Sequence, residues 1–392
     1  MTSHTQTADV FRARLAHAVI YSGFVLTGVV TTLLGPMLPI LSARWAMTDQ
    51  RAGWLFTVQF CASLAGIAAL GPLISRRGYG ATLVAGFTGI ALGIAGLARA
   101  NESIGMFATA AFGFGLGLIL SGANLWVAEV SSARRASALS VLNLAWGIGA
   151  TASAPLVLVA LRYGNLKLLL YAVAASSALI ALAVVAMDIE PPPQKSSAAE
   201  TDSARALAAK ASMFALGALF FLYVGTENSV GGWAAALAKR AGAAAGNPWE
   251  LAPAFFWAGL LAGRALTPIA LLRVTERALL RTGLAVGGAS CAGLLRAESF
   301  RSTAACAALA GLGLASVYPL LVSGMVGRYG EHARSSGRVM FALACMGGAT
   351  MPWLVGFTST HAHSLRAGFL IPFVACLAMI GLLWFLPEES SA

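Results

Sequence analysis

The sequence predicts an all-α integral membrane protein with twelve transmembrane helices in two six-helix bundles. Of its 392 residues, 58% are hydrophobic and only 10% are charged, against roughly 25% charged residues in a soluble domain. The charges form short clusters between apolar runs of roughly 18 to 25 residues, the length that spans a bilayer. The two halves of the chain also share landmarks, which indicates an internal repeat. These observations exclude a soluble multidomain enzyme.

The apolar runs between charged breaks predict the helices one by one. In the first half they lie near 17–42, 52–74, 80–98, 103–127, 137–161 and 167–187, and in the second near 211–237, 251–272, 278–295, 302–326, 337–359 and 367–386. Residues 17–187 and 211–387 are therefore the predicted bundles. Residues 188–210, rich in Pro, Ser and charge, are the predicted linker. The remaining segments, 1–16 and 388–392, are predicted tails.

The loops carry the orientation signal. The net charge of +11 comes from Lys and Arg scattered in pairs and triplets between apolar runs, with no continuous basic face. This pattern argues against nucleic-acid binding. The N-terminus and the even-numbered loops hold more Lys and Arg than the odd-numbered loops, so both termini and the linker are expected on the cytoplasmic side. The expected location of the protein is the inner membrane of the cell.

The halves repeat one another at an offset of about half the chain. Gly115–Gly117 is echoed by Gly311–Gly313, and Pro155 by Pro352. Between these landmarks each half runs from a small-residue helix through a basic loop to a Gly-rich helix that ends at a proline. A repeated six-plus-six arrangement with a central cytoplasmic linker resembles the major facilitator superfamily. The resemblance covers nearly the whole chain and implies the major facilitator fold and transport of a small solute.

The loop after the second helix reads GPLISRRGYG and resembles the superfamily signature G-x-x-x-D-R-x-G-R-R. Gly71, Arg76 and Gly78 stand at matching positions. In that family the acid and arginines form a charge clasp that stabilises one end state. Here Ser75 replaces the acid, and Tyr79 and Gly80 replace the last two basic residues, so the resemblance implies a weakened clasp. The alternative is a basic turn that only fixes topology.

Helix 7 contains the segment YVGTENSVGGW, the most informative stretch of the chain. A charged side chain inside a span costs roughly 2.5–3.5 kcal/mol on insertion scales, so Glu227 is expected to have a partner or a function. Tyr223 lies one turn before it on the same face, and Asn228 is adjacent. In one interpretation Glu227 binds the solute or carries a coupling proton. In the other it pairs permanently with Arg264, which is embedded in helix 8.

The same segment is similar to helix 7 of the fucose–proton symporter-like branch, which includes sugar permeases. There a Tyr-x-Gly-x-Glu stretch followed by Ser-x-Gly lines the sugar path. The match covers Tyr223, Gly225, Glu227, Ser229 and Gly231. Members of the branch also carry acids in helices 1 and 4 that serve proton coupling, and this chain has none there. Coupling to H⁺ through Glu227, coupling to Na⁺ and facilitated diffusion therefore all stay open.

Further polar and aromatic residues inside the spans are candidates for lining the solute path, in keeping with a neutral polyol held by amides, hydroxyls and rings. They are Thr27, Thr31, Gln59, Asn124, Asn143, Trp126, Trp146, Trp257 and Tyr318. Each has a structural alternative. Threonine in a membrane helix often bonds its own backbone, and tryptophan often belongs to the interfacial belt.

Two other functions compete with sugar transport. A drug or metabolite efflux antiporter of the same fold would carry a helix-5 signature, G-x-x-x-G-P-x-x-G-G, of which Ala154 and Pro155 retain part without the closing glycine pair. A membrane enzyme or receptor would need a catalytic constellation or a soluble domain. The chain has no HExxH or GxSxG motif, and its five cysteines form no CxxC pair. We therefore expect no enzyme activity, no metal and no cofactor. The expected protein is a monomer whose partners are the lipid bilayer, one small solute and, if transport is coupled, H⁺ or Na⁺.

Overall fold

A computed structural model of the chain describes residues 2–131, 134–187, 189, 206–241, 247–329 and 333–384. Most of the predicted linker, residues 190–205, and the predicted C-terminal tail, 388–392, lie outside the described residues. Within the described residues the secondary structure is helical, with no strand. The helices are α1 (Thr2–Thr32), α2 (Leu34–Arg44), α3 (Asp49–Leu97), α4 (Glu102–Val130), α5 (Arg135–Arg162), α6 (Leu166–Met187), α7 (Ala206–Ala241), α8 (Ala252–Ala270), α9 (Glu276–Leu295), α10 (Phe300–Leu314), α11 (Val317–Tyr329), α12 (Ala333–His361), α13 (Leu365–Gly368) and α14 (Leu370–Leu382).

The helices reproduce the predicted spans. Ten helices of the described chain are long and apolar enough to cross a membrane. One of them, α3, contains two predicted spans, 52–74 and 80–98, and its backbone leaves helical geometry between them at Gly78 (φ 80°, ψ 175°). Such a positive φ is accessible to glycine at little cost, so the glycine of the loop motif is what turns the chain there. The remaining predicted span, 251–272, corresponds to α8, which contains the charged Arg264.

Three predicted spans are interrupted, and each interruption has the same local cause. The helices break at Leu33, Ser316 and Phe369, and a proline follows each of these residues three positions later. Proline has no N–H to donate to the carbonyl four residues earlier, and its ring crowds that carbonyl. This accounts for the division of single spans into α1 and α2, α10 and α11, and α13 and α14.

The contacts divide the chain into two compact units. The first contains residues 1–34 and 58–194, and the second contains 35–57 and 195–392. Segment 35–57, which precedes most of the first-half helices in sequence, thus packs within the second unit.

Small residues allow the helices of each unit to approach closely. In the first unit, a Cβ at Gly149 of α5 would collide with the carbonyl oxygen of Val25 in α1. In the second unit, a Cβ at Gly347 of α12 would collide with the carbonyl oxygen of Phe221 in α7.

Candidate functional site

The polar cluster of the second unit is centred on α7. Tyr223 is fully buried, and the Glu227 side chain is only 7% exposed. The Tyr223 hydroxyl and the Glu227 carboxylate both interact with the Arg264 guanidinium of α8 and with each other. An embedded carboxylate and guanidinium that attract one another satisfy the requirement that buried charges be paired. This attraction corresponds to one of the two interpretations of Glu227 that the sequence leaves open, and it is compatible with the other.

Aromatic rings enclose the cluster. The ring of Tyr318 lies 5.8 Å from that of Tyr223 and 5.7 Å, edge to face, from that of Phe220. Trp257 on α8 is 3% exposed, and its indole lies against Gly231, where a Cβ would come within 2.7 Å of the ring. A glycine at this position on α7 is therefore required by the tryptophan. The predicted residues Tyr223, Tyr318 and Trp257 thus all lie in the second unit around α7.

Several buried polar atoms of α7 lack complete hydrogen bonding. Within the described part of the chain, the hydroxyls of Tyr223, Thr226 and Ser229 are buried and have no partner in hydrogen-bond geometry. For Tyr223 this means that its contacts with Glu227 and Arg264 are electrostatic proximity without the alignment of full hydrogen bonds. Leaving a buried donor unsatisfied costs about 1–3 kcal/mol. A polar molecule, water or solute, beside this stretch of α7 would recover that energy. Asn228, by contrast, donates its amide to the Val224 carbonyl at 2.8 Å.

In the first unit, Gln59 contacts one other predicted residue, Thr31. Its side-chain amide donates to the carbonyl of Thr31 at 3.0 Å, while its own Oε1 is buried without a partner among the described residues. Thr27 and Thr31 donate their hydroxyls to carbonyls one turn earlier, at Phe24 and Thr27. The threonines therefore follow the backbone-bonding alternative, whereas Gln59 offers a free acceptor.

The predicted asparagines of the first unit behave alike. Asn124 and Asn143 each donate the side-chain amide to the carbonyl four residues earlier, at 2.6 and 2.8 Å. Asn124 is half-buried and Asn143 is exposed. Each keeps its side-chain oxygen available as an acceptor. Trp146 is half-buried, and its backbone carbonyl forms the contact that excludes a Cβ at Gly28.

The loop motif is partly exposed, and its buried Tyr79 has a partner that the sequence did not indicate. Gly71 and Arg76 lie on the surface. Tyr79, which stands where the family signature has a basic residue, donates its hydroxyl to the Glu129 carboxylate of α4 at 2.8 Å. A neutral hydroxyl that donates to a carboxylate thus stands at the position where the signature has a basic residue. No pattern in the sequence links two residues fifty positions apart.

A second polar network, also missed by sequence reasoning, lies at the end of α7. The Arg240 guanidinium forms two hydrogen bonds with the Asp49 carboxylate, at 2.7 and 2.5 Å. Ser359 of α12 donates to the same carboxylate at 2.5 Å. The only sequence signals were an acid in the first turn of one helix and a base in the last turn of another, both typical of helix ends.

Among the described residues, no group of three His, Cys, Asp or Glu side chains is placed so that it could hold a metal ion. The five cysteines are free thiols.

Comparison with known proteins identifies the family. The model of the Major Facilitator Superfamily matches residues 20–337, which is most of the chain. No curated protein has a matching sequence. Among solved structures, a mutant of the nucleoside transporter NupG superposes with a TM-score of 0.74 at 13% sequence identity, covering 96% of this chain and 100% of the other. An identity this low shows a shared fold. The family match shows that the chain belongs to the major facilitator superfamily and is a membrane transporter of a small solute.

Proposed function

We propose that this transporter carries a sugar by alternating access and binds it beside Tyr223, Glu227 and Arg264. The observation that carries the proposal is the cluster on α7. The Glu227 carboxylate and the Arg264 guanidinium attract one another in the interior, and the Tyr223 hydroxyl interacts with both. A few polar groups beside aromatic rings, here Tyr223 and Tyr318, are the usual construction of a small-molecule site.

The chemistry of the cluster suits a neutral polyol. Sugar hydroxyls can donate to the Glu227 carboxylate and accept from the Arg264 guanidinium. The apolar face of a sugar ring can pack on an aromatic ring such as Trp257. Charge-assisted hydrogen bonds of this type are roughly twice as strong as neutral ones. Gln59, Asn124 and the other polar residues of the first unit are further candidates for the solute path.

Glu227 is also our candidate for coupling. A carboxylate that alternates between pairing with Arg264 and binding a proton would link solute binding to a proton gradient. Na⁺ coupling and facilitated diffusion are the alternatives. The similarity of the α7 segment to the fucose–proton symporter-like branch supports a sugar, and we keep that branch as a proposal. We also propose an inner-membrane location, both termini in the cytoplasm, and a monomer.

Nucleosides are the second candidate class. The solved structure with a similar fold is named as a nucleoside transporter, and a nucleoside presents sugar hydroxyls together with a flat base. The neighbouring rings of Tyr223 and Tyr318 are a surface on which such a base could stack. An efflux antiporter for lipophilic cations is the third candidate, and the carboxylate is the one feature of the cluster that favours it.

A stability screen of the purified protein distinguishes these classes, because a ligand that binds the native state raises its apparent stability. The panel contains hexoses, pentoses, polyols, nucleosides, organic acids and lipophilic cations. We expect the melting temperature to rise with a sugar. A rise with nucleosides alone would assign the second class. A rise with lipophilic cations alone, or with none of the neutral polyols, would refute the sugar proposal.

A further inference from the structure

Segment 35–57 is fastened to two helices of the second unit by a group of polar contacts. Asp49, at the start of α3, accepts two hydrogen bonds from Arg240 and one from Ser359. One residue later, the Gln50 backbone N–H donates to the Thr360 hydroxyl at 2.9 Å. A carboxylate held bidentately by arginine has both charge and geometry in its favour. These contacts tie the beginning of α3 to the ends of α7 and α12.

Apolar packing continues the same contact along the segment. At Gly53 a Cβ would lie 2.9 Å from the backbone of Trp353 in α12, so the two helices touch there. The Phe56 ring packs on Gly232 of α7 and lies 6.3 Å from the ring of Trp233. Glycines thus allow the segment to close on α7 and α12 without an intervening layer of side chains.

One helix, α7, carries both these contacts and the proposed solute site. Gly232, Ala236 and Arg240 follow each other at four-residue intervals, so they share one face of α7. Gly232 meets Phe56, and Arg240 meets Asp49. Glu227 lies between one and two turns before Gly232 on the same helix. A movement of α7 at the solute cluster is therefore transmitted along a continuous helix to its contact with segment 35–57.

We propose that Asp49, Arg240 and Ser359 form a latch that holds the transporter closed at the end that the proposed topology places outside the cell. The inference rests on the proposed alternating-access function, which requires segment 35–57 to separate from α7 and α12 once in each cycle. The exposure of the ion pair to water suits a contact that has to break in each transport cycle. The Arg240 side chain is 49% exposed, and a cavity of about 330 Å³ beside the latch is lined by its three residues and by His363. Ion pairs in contact with water are individually weak, so this one can break without a large barrier.

Cysteine labelling from outside tests the latch without knowledge of the solute. The reporter is Ala236→Cys, at a position that is 4% exposed, in a protein whose five native cysteines are replaced. A membrane-impermeant thiol reagent is applied to sealed right-side-out vesicles. We expect slow labelling with an intact latch. Asp49→Asn is expected to accelerate it about two- to fivefold, since a partly exposed ion pair is lost. Arg240→Gln should do the same.

Two further variants make the result specific. Exchanging the charges, Asp49→Arg with Arg240→Asp, should return labelling towards its original rate. Glu298→Gln removes a more exposed carboxylate, in a longer contact of 3.8 Å with Arg366, and should leave the rate unchanged. Equal labelling in the Asp49→Asn and parent proteins would overturn the latch, as would equal acceleration by Glu298→Gln. If solute binding turned out not to involve Glu227 while these labelling rates held, the solute site would fail and the latch would stand.

Discussion

Replacing Glu227 and Arg264, singly and together, measures how much the interaction between the two buried charges contributes to the stability of the protein. Removing one partner of a buried ion pair leaves an uncompensated charge and costs about 3–5 kcal/mol. The two changes should not be equivalent. Glu227→Gln leaves a guanidinium that cannot lose its charge, whereas Arg264→Gln leaves a carboxyl group that can bind a proton. We therefore expect Glu227→Gln to lie at the upper end of this range and Arg264→Gln at the lower end.

The double variant carries the test. With both charges removed, no uncompensated charge remains, so the loss should be smaller than the sum of the single losses by about 2 kcal/mol, within the range found for residues in contact. Thermal unfolding of the purified proteins in one detergent provides the measurement. Because each kcal/mol shifts the midpoint by a few degrees, Glu227→Gln should melt about 5–10 °C below the parent. The double variant should also melt below the parent, by less than the two single shifts added together.

Two outcomes would refute this reasoning. Losses that add to within about 0.5 kcal/mol would show that the residues do not interact. A Glu227→Gln protein as stable as the parent would show that Arg264 has another compensating partner. Glu298→Gln is the matched control. Its side chain is 82% exposed, so its change should lie within about 0.5 kcal/mol of the parent.

Two further predictions concern the scaffold. Gly347→Ala should lower stability by about 1–3 kcal/mol, because its Cβ would collide with the Phe221 carbonyl. Gly381→Ala has open space around its Cβ and should raise stability slightly. Thermal unfolding compares the two variants, and equal effects would contradict the close α7–α12 contact. Tyr79→Phe removes the hydroxyl that donates to Glu129 and should lower the free energy of unfolding by about 1–2 kcal/mol. An unchanged melting midpoint would show that this hydrogen bond does not stabilise the loop.

Hydrophobicity made most of the fold predictable. Apolar runs of membrane length located the spans, and Gly78 marked the turn between two of them, because its backbone conformation is one that other residues rarely adopt. The three proline-linked breaks were not predicted. A proline in a membrane helix is often accommodated by a kink, and the sequence does not tell which of the prolines separates two helices.

The site was predictable only in part. A carboxylate and an arginine, each inside an apolar span, have to be compensated, which made Glu227 and Arg264 a foreseeable pair. The contact between Asp49 and Arg240 could not be foreseen, because its partners are 191 residues apart and each is an ordinary helix-end charge. Asn124 and Asn143 stood out as polar residues in apolar helices, yet each donates its amide to its own helix. Polarity within a span thus identifies a residue that needs hydrogen bonds, without telling where it finds them.

Ligand-induced stabilisation of the parent protein and of Glu227→Gln tests the central claim, that the solute binds at the α7 cluster. The sugar that raises the melting temperature of the parent is titrated into both proteins, and each shift is measured from that protein's own midpoint. At one hundred times its dissociation constant, such a ligand stabilises the parent by about 2.7 kcal/mol. We predict that most of this shift is absent in Glu227→Gln and fully present in Glu298→Gln. A Glu227→Gln protein stabilised as much as the parent at every concentration would contradict the account.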